Sequence, residues 1–247
     1  MSLRNILIIG ATSAIAQACA RRFAARGDTL FLTGRDEARL QAIAADLRVR
    51  GAGAVHTGVL DVVDGAAREA AIDAAWRALE RVDIVLVAHG TLPDQGACEA
   101  SPQLAQAAFD VNACATIAML TRLAPRMAAQ GRGCLAVISS VAGDRGRASN
   151  YVYGSAKAAV DAFLSGLRQR LSREGVDVLT IKPGFVDTPM TASFRKGALW
   201  ASPDRVAGGI VRAIDRRRSV VYVPWFWAWI MFVIRHIPES VFRRIRL

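Results

Sequence analysis

Apolar residues fall along this chain in short unbroken runs, separated by longer stretches that mix apolar and charged positions. The runs cover residues 6–9, 30–33, 54–60, 84–88, 135–139, 176–181 and 220–223. A strand that is apolar at nearly every position, rather than at every second one, has both faces covered, as in a parallel sheet between two helical layers. The intervening stretches predict helices from the first turn to about residue 26, and over 37–50, 65–80, 102–130, 151–173 and 203–216. Strand and helix thus alternate from end to end. This order predicts an α/β fold, a single doubly wound parallel sheet of about seven strands. That domain spans residues 1–224, and a hydrophobic helical extension follows over 225–247. Ligands of such sheets gather at the carboxyl ends of the strands, so the loops that follow the strands hold the candidate chemistry.

The first such loop runs Gly10-Ala11-Thr12-Ser13-Ala14-Ile15-Ala16. Gly10 permits a sharp turn, and the small residues after it let a helix N-terminus approach a pyrophosphate. Thr12 and Ser13 add hydroxyl donors, and Ile15 completes the cofactor candidates of this loop. Ala14 and Ala16 stand where the phosphate-loop pattern has glycines. After the second strand comes Arg35. A carboxylate at that tip would bond a ribose 2′-hydroxyl, whereas arginine suits a 2′-phosphate, which favours NADP(H) over NAD(H). The neighbouring Asp36 is placed to cap the next helix. After the third strand, Asp61 and Val62 are placed to meet an adenine, or alternatively to cap the loop.

The most specific local signal is Tyr153 followed four residues later by Lys157. The chain has only three lysines against twenty-nine arginines. On a helix the two side chains share a face. A fixed ammonium beside a phenol favours the phenolate and is expected to draw the tyrosine pKa toward neutrality.

Together these residues resemble the short-chain dehydrogenase/reductase family over roughly residues 4–223, with its Rossmann-type fold. The resemblance implies a catalytic set of Asn112, Ser140 (in preference to Ser139), Tyr153 and Lys157. It also implies cofactor contacts from Ala88, His89 and Gly90, which replace most of the family's Asn-Asn-Ala-Gly stretch, and from Pro183, Gly184, Val186 and Thr188 in the Lys182–Thr188 segment. In that scheme Ser140 orients a substrate carbonyl and Tyr153 moves its proton. Lys157 tunes the tyrosine and bonds the nicotinamide ribose, Asn112 holds a water on the proton path, and the cofactor supplies the hydride. His89 reads as a histidine satisfied by backbone, with proton handling as the alternative. The implied activity is NAD(P)(H)-dependent interconversion of a carbonyl and a secondary alcohol. A cofactor-binding sensor without turnover is the non-enzymatic alternative.

Composition narrows the partners. Hydrophobic residues make up 53% and charged residues 21%, which excludes a disordered chain. Four scattered cysteines without a CxxC pair fit free thiols of a reducing cytosol. Three histidines without an HxxxH spacing imply no metal centre. The apolar run after Arg4 is too short for a signal peptide. The net charge is +11, and from residue 195 onward eleven Lys/Arg face three acids. This charge lies beside Trp225, Trp227 and Trp229 rather than along a groove, so an anionic membrane surface is a better match than nucleic acid.

The uncharged stretch 220–234 is too short to span a bilayer and, as a helix, is apolar on all sides, so it must be buried in something. It is expected to be a peripheral membrane anchor, a lid over a lipid-binding groove, or a contact in a homo-oligomer. With the Gly-Ala-Thr-Ser start and Ala-His-Gly-Thr-Leu, it resembles the subgroup of decaprenylphosphoryl ketopentose reductases. That resemblance implies a carbonyl on a lipid-linked sugar, handled at the cytoplasmic face of the cell membrane. The alternative is a soluble carbonyl or 3-oxoacyl-type reductase acting on a small molecule.

Overall fold

The computed structural model describes residues 3–245, so Arg246 and Leu247, the end of the basic amphipathic stretch expected over 241–247, lie outside the described residues. The elements run β1 (Asn5–Ile9), α1 (Ala14–Ala24), β2 (Thr29–Gly34), α2 (Glu37–Val49), β3 (Val55–Val59), α3 (Gly65–Leu79), β4 (Ile84–Val87), α4 (Gln95–Ala100), α5 (Pro102–Phe109) and α6 (Ala115–Gln130). They continue with β5 (Gly133–Ile138), α7 (Tyr151–Leu171), β6 (Val176–Pro183), α8 (Pro203–Asp215), β7 (Val220–Val223), α9 (Trp227–His236) and α10 (Glu239–Phe242). Several helices start where a short polar side chain caps them. Asp36, Asp64, Asp94, Ser101 and Ser202 each accept a first-turn N–H.

All seven strands are parallel, in the order β3-β2-β1-β4-β5-β6-β7. The order reverses between β1 and β4, which opens a crevice at their carboxyl ends. Side chains alternate between the two cores. Ile6 and Ile8 join Phe23, Leu40 and Ile210 under α1, α2 and α8, while Leu7 and Ile9 join Ile72, Leu120 and Leu164 under α3, α6 and α7. Burial on both faces accounts for the unbroken apolar runs. The fold is thus the expected seven-stranded α/β architecture.

Two elements differ from expectation. The helix predicted over 102–130 is interrupted by a π turn at Asp110–Cys114. There the Asn112 amide donates to the Ala108 carbonyl and reaches across to Thr91, so a side chain competes for the helix's own bonding groups. The run Pro102–Gln130 is apolar and long enough to cross a membrane by length and composition. Its face carrying Met119, Leu120, Leu123 and Met127 is fully buried in the core. The second difference is α9, which the sequence predicts to be covered all round. Trp227 and Met231 are buried against Val141, but Trp225, Trp229, Phe232 and Val233 remain 57–70% exposed. A ten-residue helix docked on a globular body covers only the side that touches it.

Candidate active site

A cavity of about 400 Å³ lies over the carboxyl ends of the strands at the switch point. The turn after β1 opens it. Gly10 has φ +82°, and a Cβ there would fall 2.6 Å from the His89 backbone nitrogen, so only glycine closes this turn. Thr12, Ser13 and Ile15 line the cavity beside it. The Ser13 side chain makes no capping bond to α1, which leaves the helix's first-turn N–H groups available to an anion. Ala14 forms part of the cavity wall and Ala16 is buried in the core, so neither alanine obstructs the turn. This cradle fits the pyrophosphate of a dinucleotide.

Arg35 lines the cavity at the tip of β2, and Arg39 joins it from the first turn of α2. Asp36 is turned away into the helix cap, accepting the Arg39 N–H at 2.9 Å. Asp61 and Val62 line the far end beyond β3, and Asp61 also accepts the Val63 N–H at 3.2 Å, so its carboxylate serves loop and cavity together.

Ala88, His89 and Gly90 follow β4 and form another wall. The His89 Nε2 lies 3.0 Å from the Thr116 hydroxyl of α6, and the Val111 backbone acts on the ring as a hydrogen-bond acceptor as well. Burial, reinforced by the Lys157 charge, pushes this imidazole down to about 3. His89 is therefore neutral near pH 7. Asn112 alone among the expected residues does not line the cavity. Fully buried in the π turn, it accepts the Thr91 N–H at 3.0 Å and donates to the Ala108 carbonyl at 2.9 Å.

The fold brings Ser140, Tyr153 and Lys157 together from β5 and α7. The approach depends on Gly154, where a Cβ would lie 2.9 Å from the Ala142 carbonyl oxygen. The Ser140 hydroxyl accepts the Ala142 N–H at 3.1 Å and hydrogen-bonds the phenol of Tyr153. Ser139 is buried, its hydroxyl 3.5 Å from the Lys157 carbonyl. The Lys157 ammonium donates to the Ile138 carbonyl at 3.2 Å and sits 5.6 Å from the Tyr153 ring centroid. Pro183, Gly184, Val186 and Thr188 line the wall beyond β6. Behind that wall, Lys182 pairs with Asp144 and with Asp161 (2.8 Å for the latter), and the Tyr222 hydroxyl donates to Asp144 at 2.8 Å.

The electrostatics correct one expectation. Although Tyr153 is only partly covered, desolvation raises its phenol to about 12; the Ser140 bond opposes the rise and the Asp161 charge adds to it. Burial lowers Lys157 to about 8 against the pull of Asp161. Desolvation of a phenolate here outweighs the attraction of an ammonium 5.6 Å from the ring. At neutral pH the pair is therefore a protonated phenol beside an ammonium.

Sequence reasoning missed Arg39, Thr91, Ile138, Arg147 and Asn150 in the cavity wall. Arg39 follows Arg35 by one helical turn, a spacing that could have revealed it. Arg147 and Asn150 lie in a loop with no motif, and only tertiary packing places them.

A crevice at the switch point of a doubly wound sheet, with an anion cradle at the first turn, defines a dinucleotide-binding protein. Residues 4–198 match the short chain dehydrogenase family, and the chain belongs to that family. It is 39% identical over 240 residues to an uncharacterized oxidoreductase of Mycobacterium tuberculosis, covering 97% of this chain and 96% of the relative. A sulfoacetaldehyde reductase of Chromohalobacter salexigens is 37% identical over 197 residues, covering 75% and 74% of the two chains. A short-chain dehydrogenase from Sphingobium yanoikuyae, solved in complex with NADPH, superposes with a TM-score of 0.83 at 27% identity, covering 99% and 97%. The protein is an NAD(P)-dependent dehydrogenase or reductase.

Proposed function

We propose that the protein reduces a carbonyl to a secondary alcohol with NADPH, Tyr153 delivering the proton. The observation that carries this reading is the meeting of the Tyr153 phenol, Ser140 and the Lys157 ammonium, 5.6 Å from the tyrosine ring, in the cavity wall. A phenol with its pKa pushed up to about 12 holds its proton throughout the neutral range, so the acid form is in place when an alkoxide develops beside it. Ser140 orients the carbonyl oxygen by hydrogen bonding. Lys157, largely protonated below pH 8, supplies the positive charge next to the tyrosine and a donor for the cofactor's ribose. Asn112 acts as a positioning residue, because its amide is spent on Thr91 and Ala108 and so fixes the loop after β4. The bound nicotinamide supplies the hydride. Gly10, Thr12, Ser13 and Ile15 hold the pyrophosphate, Asp61 and Val62 the adenine, and Pro183, Gly184, Val186 and Thr188 the nicotinamide side. NADP is preferred because two arginines and no free carboxylate meet at the end of β2.

Tyr153→Phe removes the proton and little else. We expect turnover to fall by about 10²–10⁴-fold with cofactor affinity retained in a fluorescence titration. Normal turnover in that variant would overturn the assignment.

A second reading concerns where the enzyme works. The exposed Trp225, Trp229, Phe232 and Val233 stand next to the exposed Arg235, with Arg243 and Arg244 following α10. Aromatic side chains beside arginines suit the interface of an anionic bilayer, where a lipid-linked sugar would be presented. The competing occupant of that face is a second copy of the chain, which would leave a homo-oligomer acting on a soluble carbonyl.

A further inference from the structure

Two arginines stand two residues apart in the loop between β5 and α7, in opposite surroundings. Arg145 is saturated. Its Nη1 donates to the Ile234 and Ile237 carbonyls at 2.7 and 2.6 Å, its Nη2 bonds Glu239 at 2.8 Å, and its guanidinium lies 3.8 Å from the Phe242 ring centroid. The Arg147 backbone carbonyl accepts the Asn150 N–H at 3.0 Å, but its side chain makes no hydrogen bond or ion pair with any described residue, and its Nε is buried without a partner. Burial lowers its pKa, and no carboxylate acts in the opposite direction. The same arginine lines the cavity together with Ser140, Tyr153 and Asn150. Asn150 adds a second unmet group, since its Oδ1 is also buried without a partner.

A partly desolvated guanidinium without a counter-charge is unfavourable unless a ligand supplies that charge. The cavity wall does not supply it, and Glu239, which shares a second pocket with Arg147, is bonded to Arg145. Among the described lining residues the one carboxylate is Asp61, beyond β3. In the sheet order β3 is four strands from β5, roughly 19 Å at ordinary strand spacing. The cofactor's phosphates do not account for Arg147 either. Their cradle follows β1 and the Arg35–Arg39 pair follows β2, two and three strands away from β5. Lys157 donates to the Ile138 carbonyl, which leaves Arg147 as the unpartnered cation beside the reacting groups.

We propose that Arg147 determines specificity by pairing with an oxyanion (carboxylate, sulfonate or phosphate) carried by the carbonyl substrate, with the Asn150 side-chain oxygen accepting from a hydroxyl or amine of the same molecule. Arg is suited to this by its planar fork, which engages such groups through two parallel bonds. The proposal rests on the carbonyl-reductase reading of the same cavity and names the class of substrate it takes.

The test compares four methyl ketones of equal chain length, ending in a carboxylate, a sulfonate, a phosphate ester or a neutral hydroxymethyl group, with NADPH as reductant. In the wild type at least one anionic member is expected to exceed the neutral one at least tenfold in kcat/KM. In Arg147→Met that ratio falls to near unity, mainly through the KM of the anionic member, and Arg147→Lys recovers part of it. Presenting the phosphate-bearing carbonyl on a lipid in vesicles, beside the soluble ester, tells a headgroup from a free phosphate. Binding provides a readout independent of turnover: malonate or sulfate raises the melting temperature of the NADPH complex in the wild type and in Tyr153→Phe, but not in Arg147→Met. A wild-type preference for the neutral ketone, or an anion response unchanged by Arg147→Met, would overturn the proposal. Absence of turnover with all four ketones, alongside an intact anion response, would instead count against the reductase reading and leave the arginine site standing.

Discussion

At the scale of single residues, the cofactor end of the cavity turns on which side chains are already committed. Asp36 is the one acid at the tip of β2, and its carboxylate is taken up by the cap of α2. Arg35 and Arg39 remain exposed and directed at the cavity. A charge-assisted bond to a phosphate contributes about 1.5–3 kcal/mol, so losing both arginines should weaken NADPH by about 10²–10⁴-fold. NADH, which lacks the 2′-phosphate, should change by less than about twofold. Isothermal titration of Arg35→Ala/Arg39→Ala with both cofactors decides the matter, and equal losses would remove the phosphate contact. Arg35 was legible from its place after a strand. Arg39 needed the first turn of α2 to be known, because its side chain reaches the same spot only through helical geometry.

At the scale of elements, the site is built where helices depart from regularity. The π turn at Asp110–Cys114 lets Asn112 hold the loop after β4, and a periodicity reading runs straight through it because the apolar spacing on either side stays helical. The helix α9 is the second case. Its Trp227 indole lies against Gly184 on the cavity wall, and the carbonyls at its end are held by Arg145 of the loop after β5. Removing the whole extension would therefore disturb the wall, so its outer face is better tested by substitution. Trp229→Ser/Phe232→Ser should lose at least tenfold in partitioning onto vesicles of anionic lipid, measured by co-sedimentation, and added salt should weaken the wild-type binding. If the wild type never sediments with such vesicles, the membrane reading fails. If the substitutions instead lower the mass in solution, the face is an interface between copies of the chain.

At the scale of the whole molecule, the buried Lys157 should appear in stability against pH. Lys157 is held at about 8, below its ordinary 10.5. Between those values the unfolded chain keeps the proton that the folded chain has released, so this group makes stability rise with pH across that window. The full change amounts to about 3 kcal/mol at 1.36 kcal/mol per pH unit. Below about pH 8 both states hold the proton and the burial cost is complete. Tyr153 acts oppositely above pH 10, where the unfolded phenol ionises first. Urea denaturation from pH 7 to 10 should show wild type gaining on Lys157→Met, and parallel curves would contradict the lowered pKa. The lysine's isolation among arginines and its spacing from Tyr153 were plain in the sequence, as were the strand runs, the phosphate turn and the order of elements. Each of these is a local matter, set by backbone sterics, by the two-residue and 3.6-residue side-chain periods, and by which faces a strand must hide. Desolvation, by contrast, depends on everything packed around a group. Only the tertiary structure could raise Tyr153 instead of lowering it, make His89 neutral, spend Asn112 on a loop, cover one side of α9, and leave Arg147 facing the cavity without a partner.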